Sequence, residues 1–581
     1  MNKKNKMKLM GIILLIITII TVIMTFIIVS RLSHQVDVES EQDAVFDDSF
    51  SGTIPNAYIL SNHQGEIIVL YQGTNYIAKE TAESDYTGVA DIEISHGKLV
   101  QIYAKPANIT GILDSYTDKT VQIEGYEPLD CDGTIPVYVV SDKKTIQPDV
   151  RQGSVSDLLI GNSQVELVVA EGKACAIVCH QKNQVDNIRV LLKNGDDVLY
   201  SDIYVKSNKA CTVDGTKVNA KELICAKKLL KGCKRGKEVR IKTEDGKLYL
   251  CDTDGKKKTD GYEGDFILRK EKGGYVLINE LPIEDYVRYV LPSEMPVYFS
   301  YEALKAQAVC ARTFAYSQMK NNTYAEYGAN LDDTTAYQVY HATKSCEVTD
   351  RAVADTQGMV LTYEGKLIDC YYYSTSAGYS ENLEVWDAES PGYLAAENHT
   401  KAGDRNLSKK KTFHKFITKS VTSYDLDSPY YRWTATLSAK LGMDPEFGRL
   451  KKLKVEERSE SGYILALTVV FEKGERTYEK ENEIRYALGK YLLEVELADG
   501  TVRNDYSSVP SACFEVKSQK DGTIVLTGGG FGHGIGMSQY GADAMGREGK
   551  NWQEILTYYY KDVEITNGVG LTDFWGKGLQ K

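Results

Sequence analysis

The stretch from Leu281 to Met319 constrains the fold of this chain more than any other part of the sequence. It places Glu294 between Pro292 and Pro296 and continues directly into an alanine-rich segment. A proline fixes its own φ and disfavours helical backbone in the residue before it. We therefore predict that Glu294 lies on a stiff, non-helical turn just ahead of a helix. Such a turn would hold a single functional carboxylate in a fixed position.

The alanine-rich segment predicts a helix from Tyr301 to Met319. Ser300 is a good N-cap residue, and apolar side chains recur at helical spacing after it. This narrow stripe consists of Leu304, Ala308, Ala311 and Ala315. Lys305 and Arg312 lie seven positions apart on another common face of the same helix. That face either contacts solvent or, next to Glu294, contacts a substrate.

A second unusual segment, Gly528 to Ala542, reads GGGFGHGIGMSQYGA and has six glycines in its first nine residues. So many glycines indicate tight turns or a close approach of the backbone to another group. The segment contains neither the GK[ST] of a phosphate loop nor the GxGxxG of a dinucleotide site. We predict a glycine-lined wall that carries His533, Ser538 and Gln539 at the start of a helix.

The amino terminus carries a long apolar stretch. Leu9 to Val29 runs 21 residues without a charge, after four lysines in the first eight positions. About 20 apolar residues suffice to cross a bilayer, whereas a cleaved signal peptide has a shorter apolar region and a small-residue cleavage site. We expect an uncleaved, single-pass anchor in the cell membrane, with the C-terminal part extracytoplasmic.

Short alternating apolar runs bounded by Gly, Asp and Asn predict strands and hairpins before position 274. After it, strand and helix signals are mixed. The predicted fold is an α+β catalytic domain with mixed sheets and a central active-site helix, preceded by β-rich modules and one N-terminal transmembrane helix. The predicted divisions are 1–34 (cytoplasmic tip and anchor), 35–52 (linker), 53–274 (β-rich accessory region of two modules), 275–570 (catalytic domain, with an ordinarily packed segment at about 400–510 that lacks a site) and 571–581 (tail).

The charge balance limits the class of partner. The formal net charge is -12, which argues against a nucleic-acid-binding protein, because phosphate contacts need clustered Lys and Arg. One basic run, Lys227 to Arg240, is either a solvated face or a surface for an anionic cell-wall polymer.

The sequence gives little support for a metal site. Its eleven cysteines include no repeated CxxC pair. Cys175, Cys179 and His180 have no second ligand pair nearby, and His341 and Cys346 form no tight pair, whereas a closed zinc site needs four ligands. We predict no metal and no other cofactor.

Several blocks of the sequence resemble the SpoIID/LytB family (sporulation stage II protein D-like). They occur in the order of that family and span about Leu281 to Ile565, roughly half of the chain. The blocks are LPIEDYVRYVLPSEMP, YEALKAQAVCARTFAY, QVY, YYYSTSAGYSEN, GFGHGIGMSQYGA and ILTYYYKDVEI.

The resemblance implies a cell-wall protein that acts on the glycan strands of peptidoglycan. Members of this family cut those strands as lytic transglycosylases after amidases remove the stem peptides, and others are described as enhancers of amidases. The family's catalytic glutamate lies in the SEMP motif, which places it at Glu294. The Cys and His metal cluster of a family member would need more ligands than Asn330 to Cys346 supplies.

The chemistry of the residues agrees with glycan cleavage. Hydrolysing glycosidases usually need two carboxylates, and only Glu294 is convincingly presented here. One carboxylate is enough if the attacking hydroxyl belongs to the substrate. As a hypothesis, Glu294 protonates the glycosidic oxygen and then takes the proton of the muramoyl 6-hydroxyl as a 1,6-anhydro ring closes. The predicted substrate-binding residues are Lys305, Arg312, Gln338, His533, Ser538 and Gln539.

We therefore expect a lytic transglycosylase that cleaves stem-peptide-free glycan strands in sporulation or wall remodelling. Two alternatives stay open. One is a non-enzymatic enhancer or partner of an N-acetylmuramoyl-L-alanine amidase, with the β-rich half as a docking surface. The other is a glycan-binding module in which Glu294 only donates or accepts hydrogen bonds.

Overall fold

A computed structural model describes residues 44–63, 66–79, 86–131, 133–141, 150–180, 185, 187–340, 346–520 and 522–568. The chain divides into two compact units. The first comprises Met1–Pro106 and Lys143–Gln152, and the second comprises Ala107–Asp142 and Gly153–Lys581.

The first unit contains a six-stranded sheet in which the fourth strand lies between the first and the third, and the second pairs with the fifth. Its apolar residues alternate along the strands, so that Ile59, Ile67, Val69 and Ile92 are fully buried in one core. The strands are Ala44–Val45, Gly52–His63, Glu66–Tyr71, Thr74–Lys79, Gly88–Ser95 and Lys98–Ala104.

The second unit begins with a β-rich layer whose core includes Leu113, Val137, Leu167 and Ile177. Its central hairpin pairs Gln164–Ala170 with Lys173–His180 in antiparallel fashion. The other strands of this layer are Ile109–Tyr116, Thr120–Ile123, Leu129–Asp130 and Val137–Val140.

A seven-stranded mixed sheet follows and leads directly into the helical part of the molecule. Its only parallel pair among the described strands joins Asn187–Leu192 to Leu331–Asp332. The remaining strands of this sheet are Cys211–Val213, Thr216–Val218, Glu238–Lys242, Asp265–Glu271 and Gly274–Pro282. A separate three-stranded sheet consists of Tyr204–Ser207, Ile224–Cys225 and Leu248–Cys251.

A buried charge network connects this mixed sheet to the layer before it. The Arg189 side chain is 1% exposed and donates from Nη1 to Asp114 Oδ1 at 2.8 Å and from Nε to Glu280 Oε2 at 2.5 Å. Its Nη2 donates to Glu124, and Arg269 contacts the other Asp114 oxygen at 3.3 Å. Buried charges are tolerated only when they are paired, so these groups fix the two layers to each other.

The C-terminal half contains three further antiparallel sheets and one short parallel pairing among its described strands. The five-stranded sheet is formed by Trp433–Ser438, Leu492–Leu497, Val502–Arg503, Phe514–Lys520 and Thr523–Gly528. A three-stranded sheet is formed by Leu450–Arg458, Ile464–Phe471 and Glu475–Tyr478, and another by Met359–Tyr363, Lys366–Leu367 and Glu564–Asn567. Tyr372–Tyr373 pairs in parallel with Met537–Ser538.

Eight α-helices lie in the described part of the chain. They are α1 (Ala226–Leu229), α2 (Ile283–Glu294), α3 (Tyr301–Met319), α4 (Glu347–Asp355), α5 (Lys410–Ile417), α6 (Glu481–Gly489), α7 (Gln539–Arg547) and α8 (Trp552–Tyr559). The predicted helix α3 is present with the predicted bounds. It is packed against α2, α4, α7 and α8, and the small Ala308, Ala311 and Ala315 side chains are fully buried at these close contacts.

Two parts of the predicted architecture need correction. The described residues are β-rich, with 40% strand and 18% helix, rather than an α+β domain behind β-rich modules. The reason is that the apolar runs of the segment at about 400–510 pair with one another as antiparallel strands, which extends sheet structure into the C-terminal half.

The second correction concerns the predicted transmembrane helix and the single-pass membrane localisation that followed from it. Across the ranges that the structure describes, no helix is long and apolar enough to cross a bilayer, so the fold gives that localisation no support. The stretch that prompted the prediction, Leu9 to Val29, lies outside the described residues.

Candidate functional site

Glu294 is the last residue of α2, and Pro292 lies inside that helix. The predicted non-helical turn is therefore wrong. Leu291 stays helical before Pro292 because its side chain is fully buried in the core, and packing outweighs the local bias. Met295, in contrast, is extended ahead of Pro296, as that bias predicts, and its N–H donates to the Leu291 carbonyl at 3.0 Å.

The Glu294 carboxyl group is held in a partly buried setting at the end of α2. Its Oε1 accepts a hydrogen bond from the backbone N–H of Val339 at 2.5 Å. Burial raises the pKa of Glu294 to about 7, and the Val339 N–H opposes that shift. Near neutral pH this carboxyl group therefore exists both as an acid and as a base, which suits a group that first gives and then takes a proton.

Glu294 opens onto a cleft of about 550 Å³. The walls come from α2, from the segment before position 340, from the Tyr372–Tyr373 strand, from α6 and from the glycine-rich segment. Aromatic side chains predominate, which suits the stacking of sugar rings. The lining residues are Glu294, Phe314, Thr335, Ala336, Tyr337, Val339, Tyr371, Tyr372, Tyr373, Trp386, Glu481, Asn482, Arg485, Tyr486, Gly532 and His533.

His533 lines this cleft, but both of its ring nitrogens are engaged. Nε2 lies 3.0 Å from the Tyr372 carbonyl oxygen, and Nδ1 accepts from the Ile535 N–H at 3.1 Å. Since a carbonyl only accepts, the ring is the neutral tautomer with its proton on Nε2. Burial lowers the pKa of His533 to about 3, so it carries no charge at neutral pH. Its ring packs between Tyr373 and Trp386.

Gln338 is fully buried beneath the cleft. Its Oε1 accepts from the Tyr286 hydroxyl at 3.1 Å, and its Nε2 donates to the Tyr372 hydroxyl at 3.0 Å and to the Ala311 carbonyl at 3.3 Å. These three bonds fix the segment whose next residue, Val339, donates to Glu294. Gln338 thus positions the site from below.

Gln539 and Ser538 lie behind Glu294, at the start of α7. The Gln539 Nε2 donates to the backbone carbonyl of Glu294 at 3.0 Å, which ties α7 to the end of α2. Ser538 is the N-cap of α7, and its hydroxyl also donates to Asp425. The fold therefore brings Glu294, Gln338, His533 and Gln539 together in one site. Of these four residues, Glu294 and His533 line the cleft, and the other two lie behind its surface.

Lys305 and Arg312 are absent from the cleft lining that the described residues define. Arg312 is fully buried and donates to both carboxylate oxygens of Glu284 at 2.7 Å. The Lys305 Nζ lies 2.8 Å from Glu302 Oε1. A substrate contact by either residue stays a prediction, and it would require these ion pairs to rearrange.

The residues that sequence reasoning missed lie on α6. Glu481, Asn482, Arg485 and Tyr486 all line the cleft, although this segment was expected to have no site of its own. The helix is short, and its role follows from the cleft that it shares with Glu294, which lies almost two hundred positions earlier in the chain. No local motif could have shown that.

No group of three or more His, Cys, Asp or Glu side chains that could hold a metal is found among the described residues. His341, a candidate ligand by residue type, lies outside them.

Comparison with known proteins adds to this geometry. A family model described as stage II sporulation protein matches residues 271–363, and a model for a domain of unknown function matches residues 380–536. The stage II sporulation protein D of Bacillus subtilis (strain 168) is 35% identical over 305 residues, which cover 50% of this chain and 76% of that protein. The protein of the same name from Bacillus amyloliquefaciens is 34% identical over 308 residues, covering 50% and 75%.

A further relative has a different name. The amidase enhancer of Bacillus subtilis (strain 168) is 32% identical over 300 residues, which cover 48% of this chain and 40% of that protein.

Proposed function

Because the chain belongs to the family of stage II sporulation protein D, we propose that it acts on the cell wall in sporulation and cleaves the glycan strands of peptidoglycan as a lytic transglycosylase. The observation that carries the proposal is the Glu294 carboxyl group at the end of α2, whose pKa is raised to about 7 and which opens onto an aromatic cleft.

In the proposed reaction Glu294 acts in both proton transfers. Its protonated carboxyl group gives a proton to the glycosidic oxygen while the bond from that oxygen to the muramoyl C1 breaks. The resulting carboxylate then takes the proton of the muramoyl 6-hydroxyl, whose oxygen bonds to C1 and closes a 1,6-anhydro ring. Water is not consumed. The Val339 N–H stabilises the carboxylate between these two steps, because hydrogen bonding favours the charged form.

A second carboxylate lines the cleft and must be weighed against this mechanism. Glu481 is 1% exposed, and its Oε1 accepts from Arg485 Nη1 at 3.0 Å. A hydrolase with two carboxylates would use such a group to activate water. One of its oxygens is already occupied by Arg485, which leaves Glu481 less able to bind and orient an attacking water, so the single-carboxylate reaction is favoured.

The test uses the full chain and purified, stem-peptide-free glycan strands, with products analysed by mass spectrometry. We expect anhydro-muramoyl ends from the wild type and a loss of at least about a hundredfold in rate for Glu294→Gln. Reducing ends that disappear in Glu481→Gln would instead show a hydrolase. Anhydro ends that persist in Glu294→Gln would contradict the proposed role of Glu294.

The likeness to the amidase enhancer supports one other function, a stimulator of a cell-wall amidase. The same preparations distinguish it. Folded wild-type protein that releases no glycan fragments, but accelerates removal of stem peptides by an N-acetylmuramoyl-L-alanine amidase, would favour the enhancer. If acceleration is unchanged in Glu294→Gln, the cleft has no part in it.

A further inference from the structure

Part of the wall of the Glu294 cleft is supplied by α6, which lies within residues 380–536. From α6, Arg485 lines the same cleft as Glu294. It is the only Lys or Arg among the described residues of the lining, and His533, the other basic side chain there, is neutral. The positive charge available to a bound substrate in this cleft is therefore concentrated at one position.

The Arg485 guanidinium group is held by two anchors. Nε donates to the Val509 carbonyl at 3.1 Å, and Nη1 donates to Glu481 Oε1 at 3.0 Å. The side chain is 15% exposed. Nη2 makes no hydrogen bond with any residue in the described ranges, so its N–H groups are available to a ligand. An arginine fixed in this way loses little side-chain entropy when it binds a partner.

An ion pair between Glu481 and Arg485, four positions apart on one helix, is also a common way to stabilise a helix. Two features distinguish this pair from a surface pair of that kind. Glu481 is almost fully buried, and both residues line the cleft instead of facing open solvent. Glu481 accepts a hydrogen bond from Nη1 only, so the N–H groups of Nη2 can donate to a second acceptor.

The ligand that matches this group is a carboxylate. A guanidinium group binds a carboxylate by charge-assisted hydrogen bonds, which are about twice as strong as those to a neutral acceptor. A muramoyl residue carries a lactyl ether whose carboxyl group is free and ionised when the stem peptide is absent, and is a neutral amide when the peptide is attached. The two forms of the glycan thus differ at the kind of group that an arginine discriminates.

We infer that Arg485 is a specificity-determining residue of this cleft and binds the free lactyl carboxylate of a muramoyl residue, which selects stem-peptide-free strands. This inference rests on the proposed function, because it takes a muramoyl glycan as the ligand of the Glu294 cleft. It assigns the choice between the two glycan forms to the segment at 380–536 and not to the part of the chain that carries Glu294.

The experiment measures binding in the full-length Glu294→Gln variant, so that turnover does not interfere. The ligands are muramoyl oligosaccharides with a free lactyl carboxylate and the same oligosaccharides with that group converted to the methylamide. We expect the free acid to bind at least about tenfold more tightly. Adding Arg485→Gln should reduce this preference to less than about twofold, and Arg485→Lys, which keeps the charge but not the fork, should retain part of it.

Arg476→Gln is the matched control, because Arg476 also lies within residues 380–536 and pairs with Asp444 and Glu446 but is not part of the described cleft lining. It should leave the preference unchanged. Melting temperatures show whether Arg485→Gln is folded. If it is not, the inference is tested by two other measurements: the preference for the free acid with Arg485 intact, and the change of that preference in Arg485→Lys.

Equal binding of the two ligands, or a preference that survives Arg485→Gln, would overturn the inference. Failure of the proposed function gives a different result. A carboxylate preference that depends on Arg485, together with no anhydro-muramoyl products from the wild type, would support the role of Arg485 and contradict the transglycosylase reaction. Absence of binding by both ligands would overturn both.

Discussion

The backbone N–H of Val339 donates to Oε1 of Glu294 at 2.5 Å, which joins the end of α2 to a segment 45 positions later. This hydrogen bond opposes the effect of burial on the pKa of Glu294. Burial alone would favour the neutral form of Glu294 strongly, and the Val339 N–H partly restores the stability of the charged form. The side chain is thereby kept in the range where both of its protonation states are populated at neutral pH.

The proposed first step requires protonated Glu294, so the rate should depend on pH. With a pKa of about 7, we expect kcat/KM for glycan cleavage to fall as pH rises above 7, to about a tenth of its plateau one pH unit higher. Initial rates between pH 5 and 9 check this. A rate that rises through pH 7 would mean that Glu294 acts first as a base.

The same raised pKa affects folding stability. The folded-state pKa of Glu294 lies above the ordinary value of 4.5, so its contribution is fully present below pH 4.5 and is lost as pH rises through about 7. Glu294→Gln cannot ionise and should exceed the wild type in free energy of unfolding at pH 8 by roughly 1–3 kcal/mol. Denaturant unfolding at pH 4 and pH 8 measures the difference.

At pH 4 the two proteins should unfold at the same denaturant concentration. Glu389→Gln, at an exposed position, is the control and should leave the free energy of unfolding close to that of the wild type. Equal stability of wild type and Glu294→Gln at both pH values would contradict the buried setting of this carboxyl group.

The Arg189 network predicts a large effect at a position remote from the cleft. Arg189→Met removes the principal partner of the fully buried Asp114 and of Glu280, and should lower the free energy of unfolding by about 3–5 kcal/mol. Lys209→Met breaks an exposed ion pair with Asp245 and should cost less than about 1 kcal/mol. Similar losses in both variants would show that the Arg189 network is solvated.

Gly541 predicts a steric effect in α7. A Cβ at this position would lie 2.1 Å from the Tyr559 hydroxyl oxygen and 3.0 Å from Asp425 Oδ2, both in well-packed surroundings. Gly541→Ala should therefore lower the free energy of unfolding by about 1–3 kcal/mol, despite the better helix propensity of alanine. Thermal unfolding followed by circular dichroism would measure it.

Gly403→Ala is the matched control for that substitution. No atom of the described residues lies within 4 Å of a Cβ built there, so its melting temperature should stay close to that of the wild type. A Gly541→Ala protein as stable as the control would mean that α7 can move away from α8.

The bounds of α3 could be predicted from the sequence, because a capping serine and alanines at helical spacing are local signals that packing reinforces. The sequence also indicated that His533 shares a site with Glu294, because an unusual glycine-rich segment is informative by itself. The sequence did not indicate that Pro292 lies inside a helix. It depends on the burial of Leu291, a tertiary effect that opposes the local preference.

Arg312 and Arg485 show the limit of such reasoning most clearly. Arg312 is close to Glu294 in sequence, and its side chain is paired with Glu284 inside the protein, so that a contact with substrate stays a prediction. Arg485 is in a segment with ordinary composition and lies on the cleft surface. Spacing along a helix shows which side chains share a face, but not what that face contacts.

Glu294 and Gln539 are 245 positions apart, yet one hydrogen bond joins them at the back of the cleft. Contacts of such long sequence separation form late, because the entropy of closing the intervening loop must be lost before they add stability. During synthesis the glutamate emerges long before its supporting wall. A nascent or truncated chain that ends before α7 therefore lacks the support that Gln539 gives to Glu294, and the proposed activity on glycan strands would begin only after α7 has been synthesised.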